Sequence, residues 1–158
     1  MKIGVLADTH IPKRAKDLPA KAYALLSQCD CIIHAGDILT DSLLQNLRAI
    51  APVYAVLGNN DLDVQLPERL LLSFENVQIA VVHNSGDGKG RGARLRKMFP
   101  QANVVVFGHS HIPMNEEHEG LLMFNPGSPT DKRRQPKPTI GVLHVSNGTA
   151  HGDIVELD

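Results

Sequence analysis

The chain has 158 residues, 42% apolar and 21% charged, which are ordinary values for a globular protein at the length of one domain. Sixteen Lys and Arg against seventeen Asp and Glu leave a formal charge of −1 at pH 7, no field for holding a nucleic acid by counterion release. Two Tyr, four Phe and no Trp give no base-stacking platform either, so no stable nucleic-acid partner is expected.

The opening MKIGVLADTH carries a short apolar run that Asp8 interrupts, well below the about 18 residues needed to cross a bilayer. A cytoplasmic protein without membrane association is expected. Short Val- and Ile-rich runs then alternate with helical patterns, the grammar of α/β layering. The first half reads as a strand at 2–7, a helix at about 17–27, a strand at 31–34, a helix from Asp41 to Ile50 and a strand at 53–57. The second half reads as strands at 69–75, 77–83, 103–107, 121–124, 139–145 and 149–156 with one helix near 92–99, hairpins now replacing crossovers. Two packed sheets with helices outside fit this order better than one doubly wound sheet. No linker divides the chain, so residues 1–158 are taken as one domain. The segments Asn84 to Gly92 and Pro126 to Pro138 read as loops, and Cys29 and Cys31, two apart with no other cysteine, as reduced thiols at the amino end of a strand.

Most of the apolar runs end in metal-ligating residues. In extended chain alternate residues share a side, so Asp8 and His10 point together beyond the first strand, and His109 and His111 repeat the device after 103–107. Asp37 follows 31–34, Gly58-Asn59-Asn60-Asp61 follows 53–57, and His83 ends 77–83. Open α/β sheets bind ligands outside the carboxyl ends of their strands. Asp8, His10, Asp37, Asn59, His83, His109 and His111 are too many ligands for one ion and suit two sharing a carboxylate. Carboxylate, amide and imidazole without thiolate suit manganese, iron(II), zinc, cobalt or nickel. His34, His118, His144 and His151 read as ordinary polar residues.

At these residues the chain resembles the calcineurin-like metallophosphoesterase superfamily, whose ordered blocks are D-x-H, G-D, G-N-x-D, H and G-H-x-H. All five stand in order between Asp8 and His111. The length and the later Asn125-Pro126-Gly127-Ser128 resemble the small single-domain, YfcE-like phosphodiesterases. The resemblance implies a four-layer αββα fold, a two-sheet β-sandwich flanked by helices. It implies that Asp8, His10, Asp37 and His111 hold one divalent ion, with Asp37 bridging to a second held by Asn59, His83 and His109. Manganese is the leading metal. A metal-bridging hydroxide would attack the phosphorus of a small phosphodiester. Asp37, Asn60 and Asp61 are the residues assigned to catalysis, and Asn60, Lys89, Arg91 and Arg133 those assigned to substrate contact. The chain departs from the family at Asn60, where many members carry a His, and at His83-Asn84-Ser85, where small members commonly show His-Gly-His. A rival reading is a protein-binding scaffold resembling the retromer subunit of this fold, and a homo-oligomer fits either.

Overall fold

The computed structural model describes residues 1–62 and 64–158. β1 (Lys2–Leu6), β2 (Cys31–His34) and β3 (Val53–Ala55) run parallel, and β9 (Thr139–Ser146) and β10 (Thr149–Glu156) extend the same sheet antiparallel beyond β1, in the order β10-β9-β1-β2-β3. A second sheet has the order β4-β5-β6-β8-β7, built from β4 (Arg69–Phe74), β5 (Val77–Val82), β6 (Val104–Val106), β7 (Met114–His118) and β8 (Leu121–Asn125). Within it β5, β6 and β8 are parallel.

Side-chain alternation sorts the apolar residues into layers. Ile3, Val5 and Ile33 of the first sheet meet Ile79, Val81, Val104, Val106 and Phe124 of the second in a dry inter-sheet core. Leu6 and Ile32 face the opposite way, onto Leu26 of α1 (Ala20–Leu26) and Leu43, Leu44 and Leu47 of α2 (Asp41–Arg48). α3 (Arg91–Met98) covers the outer face of the second sheet, where Leu95 packs with Val105 and Phe107. The four layers are therefore α1 and α2, first sheet, second sheet, α3, as expected. Among the described residues no helix is long and apolar enough to cross a membrane.

Phe124 reaches across the inter-sheet core because β9 and β10 present glycine to it. A Cβ on Gly141 or on Gly152 would run into its ring. Phe124→Ala should therefore leave a cavity bounded by two backbones that cannot collapse far, at a cost of about 3–5 kcal/mol. Urea denaturation of the two proteins measures it, and a loss under 1 kcal/mol would mean that the sheets close over the gap.

One strand escapes the sequence reading. β7 is MNEEH, with four of its five residues exposed and no apolar alternation to reveal it. It is held by antiparallel pairing with β8 across Glu119 and Gly120, whose φ values of 47° and 81° are those of a tight hairpin turn. Apart from β2, which ends at His34 as expected, the strands before the expected ligands stop one or two residues early, as at Leu6 and Ala55, because the chain leaves the ladder there to turn inward.

Candidate metal centre

All the sequence blocks lie where parallel strands end. β1 leads to Asp8 and His10, β2 to Asp37, β3 to Asn59, β5 to His83, and β6 to His109 and His111. The turns are stitched across strands: Asp8 N–H donates to Gly36 O at 2.9 Å, His10 N–H to Asp37 O at 3.0 Å, and Gly108 N–H to His83 O at 2.9 Å.

Asp8, His10, Asp37, His109 and His111 all take left-handed backbone, with φ of 55°, 45°, 60°, 73° and 63°. Each such non-glycine residue costs of order 1–3 kcal/mol and persists only where its surroundings over-determine it. Three polar side chains do this for the turns of Asp8, His10 and Asp37. Asp61, 6% exposed, accepts four backbone N–H groups: its Oδ2 from Asp37 at 2.9 Å and Gly58 at 2.8 Å, its Oδ1 from Ile38 and Leu39, both at 2.8 Å. Ser128 Oγ donates to Asp8 O at 2.8 Å and accepts from Asp131 N–H at 2.8 Å, while Thr130 Oγ1 donates to Thr9 O at 2.6 Å. Gly58 permits the approach, since a Cβ there would collide with Asp37 N and Oδ1. The carboxylate of Asp61, expected to act in catalysis, is thus spent on the backbone beneath Asp37.

Above these turns the side chains converge. Asp8 Oδ1 lies 4.0 Å from His10 Nε2, 3.9 Å from His83 Nε2 and 3.7 Å from His111 Nε2. Asp37 Oδ2 lies 3.4 Å from both His10 Nε2 and His83 Nε2. These separations are long for hydrogen bonds but suit atoms sharing an ion, since two ligands each about 2.1 Å from a metal sit about 3–3.5 Å apart. Both Asp8 oxygens and the Nε2 atoms of His10, His83 and His111 are buried with no hydrogen-bond partner. Among the described residues two triads could hold a metal, Asp8 with His10 and His111, and Asp8 with Asp37 and His83. The far ring nitrogens prepare the near ones: His83 Nδ1–H donates to Ala35 O at 2.7 Å and His111 Nδ1–H to Asp131 O, so each Nε2 lone pair faces inward.

Burial pushes the Asp8 carboxyl up to about 7, His83 only partly opposing it. Burial also raises Asp37, but the facing His83 imidazole and the two N–H donors of Asn60 outweigh it and hold that carboxyl below the usual range. Burial lowers His10, His109 and His111, which favours the neutral, ligating form. For His83 burial is overcome by Asp37 and Asp8, and its imidazole is raised.

The remaining expected site residues divide. His109 is exposed, its ring edge-on to His83 with centroids 5.4 Å apart, and it stands outside both triads, as does the exposed Asn59. Asn60 donates to Asp37 twice, from its backbone to Oδ1 at 2.9 Å and from its side chain to Oδ2 at 3.1 Å. Arg133 lines a cleft of about 590 Å³ beside His10, together with Asn59 and Asn60. Lys89 and Arg91 do not line it. Arg91 lies over the Phe107 ring, 5.2 Å from its centroid, on the outer face of the second sheet. His34, read as ordinary, is fully buried: its Nδ1 accepts Gly36 N–H at 3.1 Å, so its Nε2–H donates to Thr9 Oγ1 at 3.0 Å. Burial, then the charge of His83, lowers its pKa to about 3, and the neutral ring ties the first two blocks together. Lys13 and Arg14, missed in the sequence, line the cleft too, and their signal was a basic pair two residues past the D-x-H block, after Ile11 and Pro12.

Compared with known proteins, residues 1–148 match the model of the calcineurin-like phosphoesterase superfamily domain. The chain belongs to that superfamily. A probable metallophosphoesterase of Methanothermobacter thermautotrophicus is 33% identical over 159 residues, covering 98% of this chain and 92% of the relative. The solved zinc complex of Vps29 from Entamoeba histolytica has a TM-score of 0.82 at 21% identity over all of both chains. A structure described as a novel archaeal phosphodiesterase has a TM-score of 0.74 at 22% identity, covering 98% of this chain and all of the other. These two structural likenesses show the fold. Family membership supports a divalent-metal-dependent phosphoric ester hydrolase, with the converging carboxylates and imidazoles as candidate metal ligands.

Proposed function

We propose that this superfamily member is a phosphodiesterase that works with two divalent transition-metal ions, manganese foremost, on a small phosphodiester. The observation that carries the reading is the convergence of Asp8, His10, His83 and His111 with buried lone pairs that nothing in the protein satisfies. Asp8, His10, Asp37 and His111 would hold one ion, and Asp37, Asn59, His83 and His109 the other. Bound ions supply Lewis acidity toward phosphoryl oxygens and lower the pKa of water. The protein's own part is positioning. Ala35 O and Asp131 O fix the tautomers of His83 and His111, and Asn60 clamps Asp37 with two N–H donors. An amide has no proton to give a departing oxygen, so activated leaving groups suit this site best. A docking scaffold on the same fold would have no use for a buried Asp8 carboxylate kept without a cation at the cost of desolvation.

The test is metal content together with hydrolysis of a panel of monoesters and diesters. Asp37→Asn should cut turnover on diesters by more than about 100-fold, beyond the about 10–100-fold that changes behind the ligands cost, and lower the bound metal from two ions per chain. Two ions and full turnover in that variant would sink the assignment.

A further inference from the structure

The cleft beside His10 holds more positive charge than a simple phosphodiester can use. Lys13 and Arg14 approach it from the segment after His10, and Arg133 from the loop after Ser128. Arg14 Nε lies 3.5 Å from Asp131 Oδ2, with its side chain 61% exposed. Among the described residues neither Lys13 nor Arg133 makes an ion pair with a carboxylate. Among the described residues, three cations against the one carboxylate of Asp131 leave this wall two charges positive on a chain whose formal charge is −1. At about 590 Å³ the cleft is also too roomy for a phosphoryl group alone, since pockets of about 300–1,000 Å³ enclose whole drug-sized ligands. Leu62, 90% exposed, adds an apolar stretch to the same lining.

We propose that this cleft binds a second phosphate carried on the non-reacting arm of the substrate, so that the preferred substrate is an organic phosphodiester bearing a further phosphate group. The inference rests on the phosphodiesterase reading and names its substrate class. The scissile diester carries one negative charge and belongs to the metal centre. A terminal phosphate carries about −1.5 to −2 at pH 7, which matches the two net charges of the wall. Arg14 and Arg133 offer planar forks that bind phosphate oxygens in pairs, and Lys13 adds a mobile point charge. Asp131 orients Arg14 toward the cleft while its own carbonyl holds His111, so the phosphate wall and the metal centre share one support.

The experiment uses the manganese-loaded protein and two p-nitrophenyl diesters, one with a methyl arm and one with a three-carbon arm ending in phosphate. The expected kcat/KM is at least tenfold higher for the second. Lys13→Ala/Arg14→Ala should bring the ratio of the two toward one, and the ratio cancels any general change in metal loading or folding. Calorimetric titration with propane-1,3-diol bisphosphate and with propyl phosphate supplies a readout independent of turnover. The first ligand should bind at least tenfold tighter to the wild-type protein and lose that advantage in the double variant. A kinetic ratio near one with equal binding of the two ligands overturns the inference and leaves the phosphodiesterase reading intact. Hydrolysis of neither ester overturns that reading, and the calorimetric comparison then decides the fate of the phosphate site by itself.

Discussion

Replacing Asp8 with Asn is expected to make the metal-free protein more stable while ending metal binding. The carboxylate is fully buried, both its oxygens lack partners, and burial pushes its pKa from an unfolded value of 3.8 to about 7. Folding therefore takes up a proton at this group, and ionised Asp8 works against the fold. Above pH 7 the cost is fully present, on the order of 4 kcal/mol, since every tenfold gain in proton affinity on folding is worth about 1.4 kcal/mol. As the pH falls through 7 the native carboxyl protonates and the cost shrinks, vanishing below 3.8. An amide avoids the charge and loses far less on leaving water. After treatment with chelator, Asp8→Asn should show the higher urea midpoint at pH 8 and no advantage at pH 4. A cation reverses the ranking, because whatever binds only the native state stabilises it by mass action, and only the wild-type chain can bind it tightly. Equal midpoints at pH 8 would mean that the carboxylate is hydrated or paired in the metal-free protein.

Asp61→Ala should act in the opposite direction, costing on the order of 5 kcal/mol and the metal centre with it. Four backbone N–H groups, of Asp37, Ile38, Leu39 and Gly58, would lose their shared acceptor. Each buried donor left unsatisfied costs about 1–3 kcal/mol, so even partial rescue by water leaves a large loss. Asp37 would also be released from its left-handed backbone, and with it one of the two carboxylates that face the imidazoles. Denaturation midpoint and metal stoichiometry together separate this positioning role from a chemical one. A variant with unchanged midpoint, full metal loading and no turnover would return Asp61 to the catalytic residues.

Parallel strands buried on both faces write themselves as unbroken Val and Ile runs, which is why β1, β2, β5 and β6 and the blocks at their ends are legible. β7 is not, because a strand held by its neighbour's backbone and facing water needs no apolar residues of its own. Sequence names a carboxylate without saying which atoms it will accept from, so Asp61, one residue from Asn60, reads as a reacting group while its four backbone bonds stay invisible. Lys89 and Arg91 suggest themselves by closeness in sequence to His83. α3 begins at Arg91, and its first turn directs that guanidinium over Phe107 and away from the cleft. Lys13 and Arg14 escape notice because two cations in a turn look like any solvated surface until the loop carrying Arg133 is seen opposite them.

The bond from Ser128 Oγ to Asp8 O spans 120 residues, and the one from His111 Nδ1–H to Asp131 O spans 20 more residues of chain beyond the last ligand. All seven candidate ligands have left the ribosome once His111 has emerged, yet the props that hold the first and last of them in place are still unmade. Carrying the ligands and having a site are thus separate events in the life of this polypeptide. Long-range closure of this kind is slow, since the entropy of the loop is lost before any contact compensates it. A nascent chain in this interval cannot trap metal in the native arrangement, and loading with the right ion becomes a matter for the finished protein.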